Sequence, residues 1–525
     1  MKIRKIVLFA GMLGMSGCSG FLDEFSQTYI RASKISDYDE LLLGSVYMLN
    51  SAPVNGNNYC ISSGRSCDFF NVLADDINMT CEKEVENTGD AGAFNQRLVT
   101  NTKNLFGFSA WQKDVCKTIL NNDFNDESTW VDLYKRIAII NTILDEVDRL
   151  DINNDEERLT RERVKGECYF LRAQFYLTLV NLYGKPYNPA TASTDLGVPL
   201  KISSGVEHDK DKDTQFERTT LDKIYRQLAD DLTRSVACLK QEDKGVLYRV
   251  SEGAAAVLLS RVYLYMQEWE AAREAIKPYL GTELALMNIA GRDFESEGGS
   301  FINTDNGELL FSQGNLNAQK MFTGRAPDFC VTRELYDLYE GEDARKSWFS
   351  INYFTDSVAL SGKYYTGDGE QRVSDYFTVR AAEGYLNMAE ACAMTGKDDG
   401  LANQYLNALR RNRIGGYVDQ TYSGEELVNQ IRTERRKELC FEGHRWFDMR
   451  RYTVSNPYPY SKEIFRYYYS YQGAGSRYRL DRSFLFRLEK NDAAYTFDIP
   501  KTVKEFDVVP MPGNERPDRP EIKIN

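Results

Sequence analysis

The chain has 525 residues, a formal net charge of -13, 12% aromatic residues and two histidines. A surplus of carboxylates repels a phosphate backbone and argues against nucleic acid as a partner. With His208 and His444 as the sole imidazoles, a Ser-His or Cys-His nucleophile would have to use one of them. The length allows a large core, or two or three domains.

Lys2, Arg4 and Lys5 precede an apolar run from Ile6 to Met15, too short to span a bilayer and suited to a signal peptide. The run ends in Met15-Ser16-Gly17-Cys18, which resembles the bacterial lipoprotein cleavage box. It predicts a leader over 1–17 and a mature chain whose Cys18 carries the acyl groups, more than one being needed for a stable anchor. Asp23 and Glu24 follow soon after, as in surface-export signals of such lipoproteins. No later segment has the length and apolarity of a membrane helix.

Apolar residues then recur at spacings of three and four. Leu133, Ile137, Ile140, Leu144 and Val147 form one stripe; Val164, Cys168, Leu171, Phe175, Leu179 and Leu182 form a second, stopped by Gly184 and Pro186. Leu221, Ile224, Leu228 and Leu232 form a third. Each predicts an amphipathic helix. Two later stretches have tetratricopeptide-like spacing: Leu259, Ser260, Tyr263, Trp269, Ala272 and Ile276, then Tyr385, Ala389 and Gly396. Small Ser260 and Ala272 let paired helices approach, while Tyr263 and Trp269 fill the gap. Between the helical blocks, 79–110, 285–330 and 453–490 read as long irregular loops, the last holding Tyr467, Tyr468, Tyr469, Tyr471 and Tyr478.

Ten cysteines leave nine once Cys18 is set aside, an odd number with no C-x-x-C and no zinc-like spacing. Cys168, Cys238, Cys392 and Cys440 read as buried thiols; Cys60, Cys67, Cys81 and Cys116 fall in the irregular N-terminal region, where an export compartment permits disulfides of unassigned connectivity. Gly298 and Gly299 lack the Lys-Ser/Thr that a phosphate cradle needs.

The run IRTERRKELCFEGHRWFDMRRY, Ile431 to Tyr452, is the most distinctive. Read as a helix, it pairs Arg435 with Glu438, Glu442 with Arg445 and Asp448 with Arg451 on shared faces, around the apolar Leu439, Phe441, Trp446, Phe447 and Met449. That is a helix docked on a core with its charges paired at the margins. His444 then reads as a packed or hydrogen-bonded histidine.

This run resembles the C-terminal signature of the SusD/RagB family, surface lipoproteins of Bacteroidetes-type bacteria. ECYFLRAQFYLTLVNLYGKPY (Glu167 to Tyr187), WVDLYKRIAIINTIL (Trp130 to Leu144) and LADDI (Leu73 to Ile77) also resemble it; the tail from Phe497 to Pro520 departs from the Asn-Pro-Gly-Tyr-like ending of many members. The resemblance implies a mainly α fold: a tetratricopeptide-like helical-repeat scaffold with long irregular loops forming a ligand-binding face. It divides the mature chain into an N-terminal helical region over 18–280, a loop-rich region over 281–380 and a C-terminal region over 381–525. It further implies a non-catalytic binder of oligosaccharide or polysaccharide in the outer membrane, with no cofactor or metal, acting as the lid of a SusC-like TonB-dependent transporter. Peptide cargo, as in RagB-like members, is the alternative; a surface glycoside hydrolase and a scaffold binding only proteins are further readings. By position, the resemblance suggests Asp76, Asn78, Phe106, Trp111, Phe301 and Phe322 as ligand contacts, with Trp111 the leading aromatic platform. The Tyr-rich 464–478 segment is a rival surface for ligand or for the transporter.

Overall fold

The computed structural model describes residues 32–48, 69–80, 84–86, 105–115, 127–205, 216–240, 246–314, 316, 321–322, 329–352, 356–365, 373–474, 477–506 and 510–524. The leader, Cys18, Asp23, Glu24, His208 and Cys60, Cys67, Cys81 and Cys116 lie outside the described residues.

The three stripes form helices α1 (Glu127–Val147), α2 (Asp155–Tyr183) and α3 (Leu221–Leu239). The Asn154 side chain caps α2 by accepting from Glu157 N at 2.9 Å, and Asp155, Glu156 and Glu157 place negative charge on its positive end. The helix stops at Gly184, as its Gly-x-Pro signal predicts. From Phe170 to Tyr183 every residue is buried, so α2 is the central rod rather than a half-exposed one.

The tetratricopeptide-like stretches form two helix pairs, α4 (Glu252–Met266) with α5 (Trp269–Ile276), and α6 (Ala381–Met394) with α7 (Asp399–Arg411). Ser260 is small enough to let its pair close, and its hydroxyl donates to Ala272 O at 2.9 Å across the contact. Consecutive helices from α1 to α5 pack on one another, and α6 packs on α4, α5 and α8 (Gly424–Glu438). Helix α9 (Arg445–Tyr452) follows after a sharp turn. The fold is the mainly α, helical-repeat architecture the sequence implies, built around one hydrophobic cluster that runs from Ile35 to Met511. Among the described cysteines, Cys168, Cys392 and Cys440 are buried free thiols as expected, Cys238, expected buried, is a half-buried free thiol, and Cys330 sits half-buried on a strand.

The region 453–490 is not an irregular loop. It is a long hairpin of β8 (Ile464–Ala474) and β9 (Arg477–Leu488). The neighbouring β10 (Ile522–Ile524) and β2 (Glu84–Glu86) pair with the other edge of β9. Alternation explains it: Ile464, Arg466 and Tyr468 point into the core while Phe465 and Tyr467 point out. Loop 285–330 is likewise interrupted by β3 (Leu309–Gln313), fully buried and paired with β7 (Phe377–Arg380). A further small sheet runs in the order β1 (Ile77–Met79), β4 (Phe329–Val331), β6 (Val358–Leu360), β5 (Phe349–Ile351).

The signature run is also not one helix. Phe441 and Gly443 both adopt left-handed backbone, with φ of 58° and 74°, and split it into the end of α8, a turn and α9. Of the three local ion pairs expected, only Asp448 with Arg451 forms, at 2.8 Å. Arg435 pairs instead with Asp448 at 3.0 Å, and Arg445 with Asp75 at 2.7 Å. Glu442 pairs with Arg380 at 2.8 Å and Lys363 at 2.7 Å. These charges lie inside the core, not at its margins. At the centre, the Glu438 carboxylate accepts from Arg345 at 2.8 Å, Arg380 at 2.6 Å and Arg413 at 2.9 Å, and Glu308 bridges Arg380 and Arg413. Burial opposes ionisation of Glu438, yet Arg413, Arg380 and Arg345 together hold its carboxyl well below the usual range.

Candidate functional site

The signature positions a surface groove from beneath. Lys363 is buried, with its ammonium on the Glu442 carboxylate at 2.7 Å, on Cys440 O at 2.7 Å and over the Trp348 ring at 4.5 Å. Its neighbour Tyr364 donates to Phe441 O at 2.8 Å. The segment 361–365 is thereby fixed. It forms the floor on which 294–302 is laid, through Phe301 N to Gly362 O at 3.1 Å, Ile302 N to Lys363 O at 2.6 Å and Tyr365 N to Ile302 O at 3.0 Å. Gly362 is required here: a Cβ would meet Ser347 O at 2.4 Å.

The wall is an aromatic stack. The Phe301 ring lies on Trp348, with centroids 5.0 Å apart, and Phe294 packs edge-on against Phe301. Arg292 covers the outside of Phe294 at 4.6 Å and pairs with Glu297 at 2.5 Å. Gly298, at φ 63°, turns the chain back over the groove. The resulting groove has a volume of about 340 Å³ and is lined by Phe294, Glu295, Gly298, Gly299 and Ser300 on one side and Ser361, Gly362, Tyr364 and Tyr365 on the other. This is the lower end of the size range of small-ligand sites.

Chemically the groove offers the half-buried Tyr365 ring, the Ser300 hydroxyl, exposed backbone at Gly298 and Gly299, and one carboxylate, Glu295. Such a surface can cover an apolar C–H face and hydrogen-bond a polar rim. Acid–base cleavage of a glycosidic bond needs two carboxyl groups, and this lining holds one. Among the described residues no group of three or more His, Cys, Asp or Glu is placed to hold a metal ion. His444 lies deep on a separate cavity of about 40 Å³ beside Glu442 and Gln174. Burial, reinforced by Arg261 and Arg435, drives its pKa well below the usual histidine value, so it is a neutral packed group, as the sequence predicts.

The six positions suggested from sequence do not converge on one surface. Phe301 is 2% exposed and lies behind the groove, clamped between Trp348 and the Arg380 and Arg413 guanidiniums. Trp111 is 1% exposed; its indole donates to Leu73 O at 2.8 Å and Arg466 covers its ring at 5.1 Å. Phe106 packs on Tyr468 and Phe486 under the hairpin, and Phe322 packs on Phe441 in the signature turn. Asp76 is buried on Arg436 at 2.8 Å, with burial and the adjacent Asp75 raising its pKa against that arginine. Asn78 sits half-buried on β1 opposite Cys330. The four aromatics are therefore packing groups under the hairpin, the signature turn and the groove, and offer no open ring face in this structure. The groove residues Phe294, Glu295, Ser300, Ser361 and Tyr365 were not anticipated. The Gly298-Gly299 turn and the Tyr364-Tyr365 pair were their visible traces.

Two family models match the chain, one described as starch-binding and associating with the outer membrane over residues 66–264, the other as the SusD family over residues 331–525. A SusD-like protein of Formosa agariphila is 31% identical over 394 residues, spanning 62% of this chain and 70% of its own.

The chain belongs to the SusD/RagB family.

Its fold matches solved SusD structures. A SusD superfamily protein from Bacteroides thetaiotaomicron superposes with a TM-score of 0.65 at 20% identity, covering 92% of this chain and all of that one. A laminarin-binding SusD-like protein superposes with a TM-score of 0.54 at 19% identity, covering 85% and 93%. SusD proteins are associated with the outer membrane, and among the described residues no helix is long and apolar enough to cross one.

Proposed function

We propose that this SusD-family protein is a non-catalytic, surface-exposed lipoprotein that captures oligosaccharide or polysaccharide and delivers it to a SusC-like TonB-dependent transporter, over whose mouth it closes as a lid. Acyl groups on Cys18 moor it to the outer membrane. The observation that carries the reading is the groove over Lys363–Tyr365, a recess with a tyrosine ring, a serine hydroxyl and a single carboxylate on a floor held by the family's signature. The starch-binding description of the family and the laminarin-binding fold neighbour support the cargo class. A single carboxylate in the lining supports binding without turnover.

The test is calorimetry of the wild-type protein and Tyr365→Ala with a panel of neutral oligosaccharides. Loss of a stacking ring is expected to weaken the bound sugar by about tenfold. Unchanged affinity would remove the groove as the site. Binding of peptides and of no glycan would replace the cargo class.

A further inference from the structure

The sheet made by β8, β9 and β10 has one face in the core and one in solvent. Register places Phe465, Tyr467 and Tyr469 of β8 opposite Arg487, Leu485 and Ser483 of β9, and places Leu485 and Ser483 opposite Ile522 and Ile524 of β10. Residues directly opposite in an antiparallel pair share a face, so all eight lie on the same side. It is the outer side. Phe465 is 44% exposed, Tyr467 38%, Ile522 47% and Ile524 37%, while Arg466, Tyr468 and Phe486 of the inner side are buried. The result is an open aromatic and aliphatic strip across three strands. Exposed apolar surface this concentrated marks a binding surface rather than scattered exposed residues.

Three features select the occupant. Alternate residues on a strand are ~6.6 Å apart, so Phe465 and Tyr467 present two open rings side by side, while Tyr469, next along the strand, is half-buried against the core. A strip without walls gives each unit of ligand little contact, and it favours a long repeating chain that meets both rings and the flanking Ile522 and Ile524 at once. The strip also carries no unpaired charge: Arg487 is joined to Glu463. On a molecule of net charge -13, a polyanion is repelled and a neutral chain is not.

We infer that this outer sheet face is a second carbohydrate-binding surface, which takes an extended run of an uncharged polysaccharide by stacking sugar C–H faces on Phe465 and Tyr467 and running on over Ile522 and Ile524. The inference rests on the carbohydrate reading of the preceding subsection. It adds a site separate in sequence from the groove, so a polymer engaging both is held by avidity, while a short oligosaccharide needs the groove alone.

Protein purified from membranes in detergent is run in native gels containing starch, laminarin, xylan or mannan, with a uronic acid polymer as the charged arm. The same protein is titrated with tri- and tetrasaccharides of the polymer that retards it. The variants are Phe465→Ser/Tyr467→Ser and, on another strand, Ile522→Ser/Ile524→Ser; all four side chains are substantially exposed, and circular dichroism checks the fold. The first variant is expected to lose about tenfold or more in polymer affinity, the second a smaller part, with oligosaccharide affinity unchanged in both. Tyr365→Ala is expected to do the reverse for oligosaccharides. Polymer retention unchanged in both sheet variants overturns the inference and leaves the groove standing. A wild-type protein retarded by no polymer and titrated by no oligosaccharide overturns the carbohydrate reading itself. Light scattering that finds a wild-type dimer and a monomeric Phe465→Ser/Tyr467→Ser assigns the face to a second copy of the chain and overturns the inference. Retention by the uronic acid polymer alone overturns it as well.

Discussion

Replacing Glu438 with glutamine tests whether the family signature acts as an internal ionic tie. The side chain is fully buried, and its two oxygens receive hydrogen bonds from three guanidiniums, Arg345, Arg380 and Arg413, at 2.6 to 3.2 Å. Glutamine keeps the shape, so no cavity forms. It removes one negative charge and turns an amide N–H₂ toward donors that have lost their acceptor. Stripping one partner from a buried, hydrogen-bonded charge cluster costs about 3–5 kcal/mol, a large share of the ~5–15 kcal/mol that holds a typical protein folded. The control is Glu146→Gln, whose partner Arg149 lies 2.7 Å away with the pair 40–70% exposed; surface pairs of this kind contribute about 0–1 kcal/mol. Urea titration followed by tryptophan fluorescence reads both, because Trp348 borders the cluster through Lys363. A Glu438→Gln loss no greater than that of Glu146→Gln would refute the view that this web holds the groove floor in place.

His444 gives the chain a pH signature. Its folded pKa lies well below the usual value, so below ~6.5 the unfolded chain binds a proton that the folded one does not. Stability is therefore complete above that pH and falls as the pH drops, by up to ~1.4 kcal/mol per unit. A second loss runs from the usual carboxylate range of about 4.5 down to about 2. Over that interval Glu434 takes up a proton in the unfolded chain but not in the folded one, where Arg345, Lys437 and Arg410 keep it ionised against burial. Equal urea midpoints at pH 7.5 and pH 5 would contradict the histidine term. Gly362→Ala drives a Cβ into Ser347 O and should cost about 1–3 kcal/mol and reduce oligosaccharide affinity; thermal melts and calorimetry check it. Trp111→Ala should destabilise by about 3–5 kcal/mol, as a core truncation does, with affinity per folded molecule unchanged. A stable variant that no longer binds would make Trp111 a ligand contact after all.

Helices whose apolar stripe matched a 3.6-residue period were legible, down to the stop at Gly184, because local spacing alone determines which face is buried. The signature was legible as an ionic element and not as a partner list. Spacing of three pairs Arg435 with Glu438 on paper, but the left-handed turn at Phe441 and Gly443 redirects the chain, and the real partners, Asp75, Glu308, Arg345, Arg380 and Arg413, come from distant segments. The hairpin at 464–488 was hidden because tyrosines crowd both of its faces: Tyr467 is exposed while adjacent Tyr468 is core. The burial of the candidate contacts was hidden for a related reason. Trp111 and Phe301 have the chemistry of a sugar platform, but long-range cover from Arg466 and Trp348, which no local pattern encodes, leaves neither face open.

The central claim is capture without cleavage. The direct measurement is incubation of the purified protein with the neutral polysaccharide that retards it in a native gel, followed by sizing of the polymer. Reversible retention that free oligosaccharide competes away, with polymer length unchanged after long incubation, is the predicted result. Progressive shortening of the polymer, or no retention by any glycan while peptides bind, would contradict it.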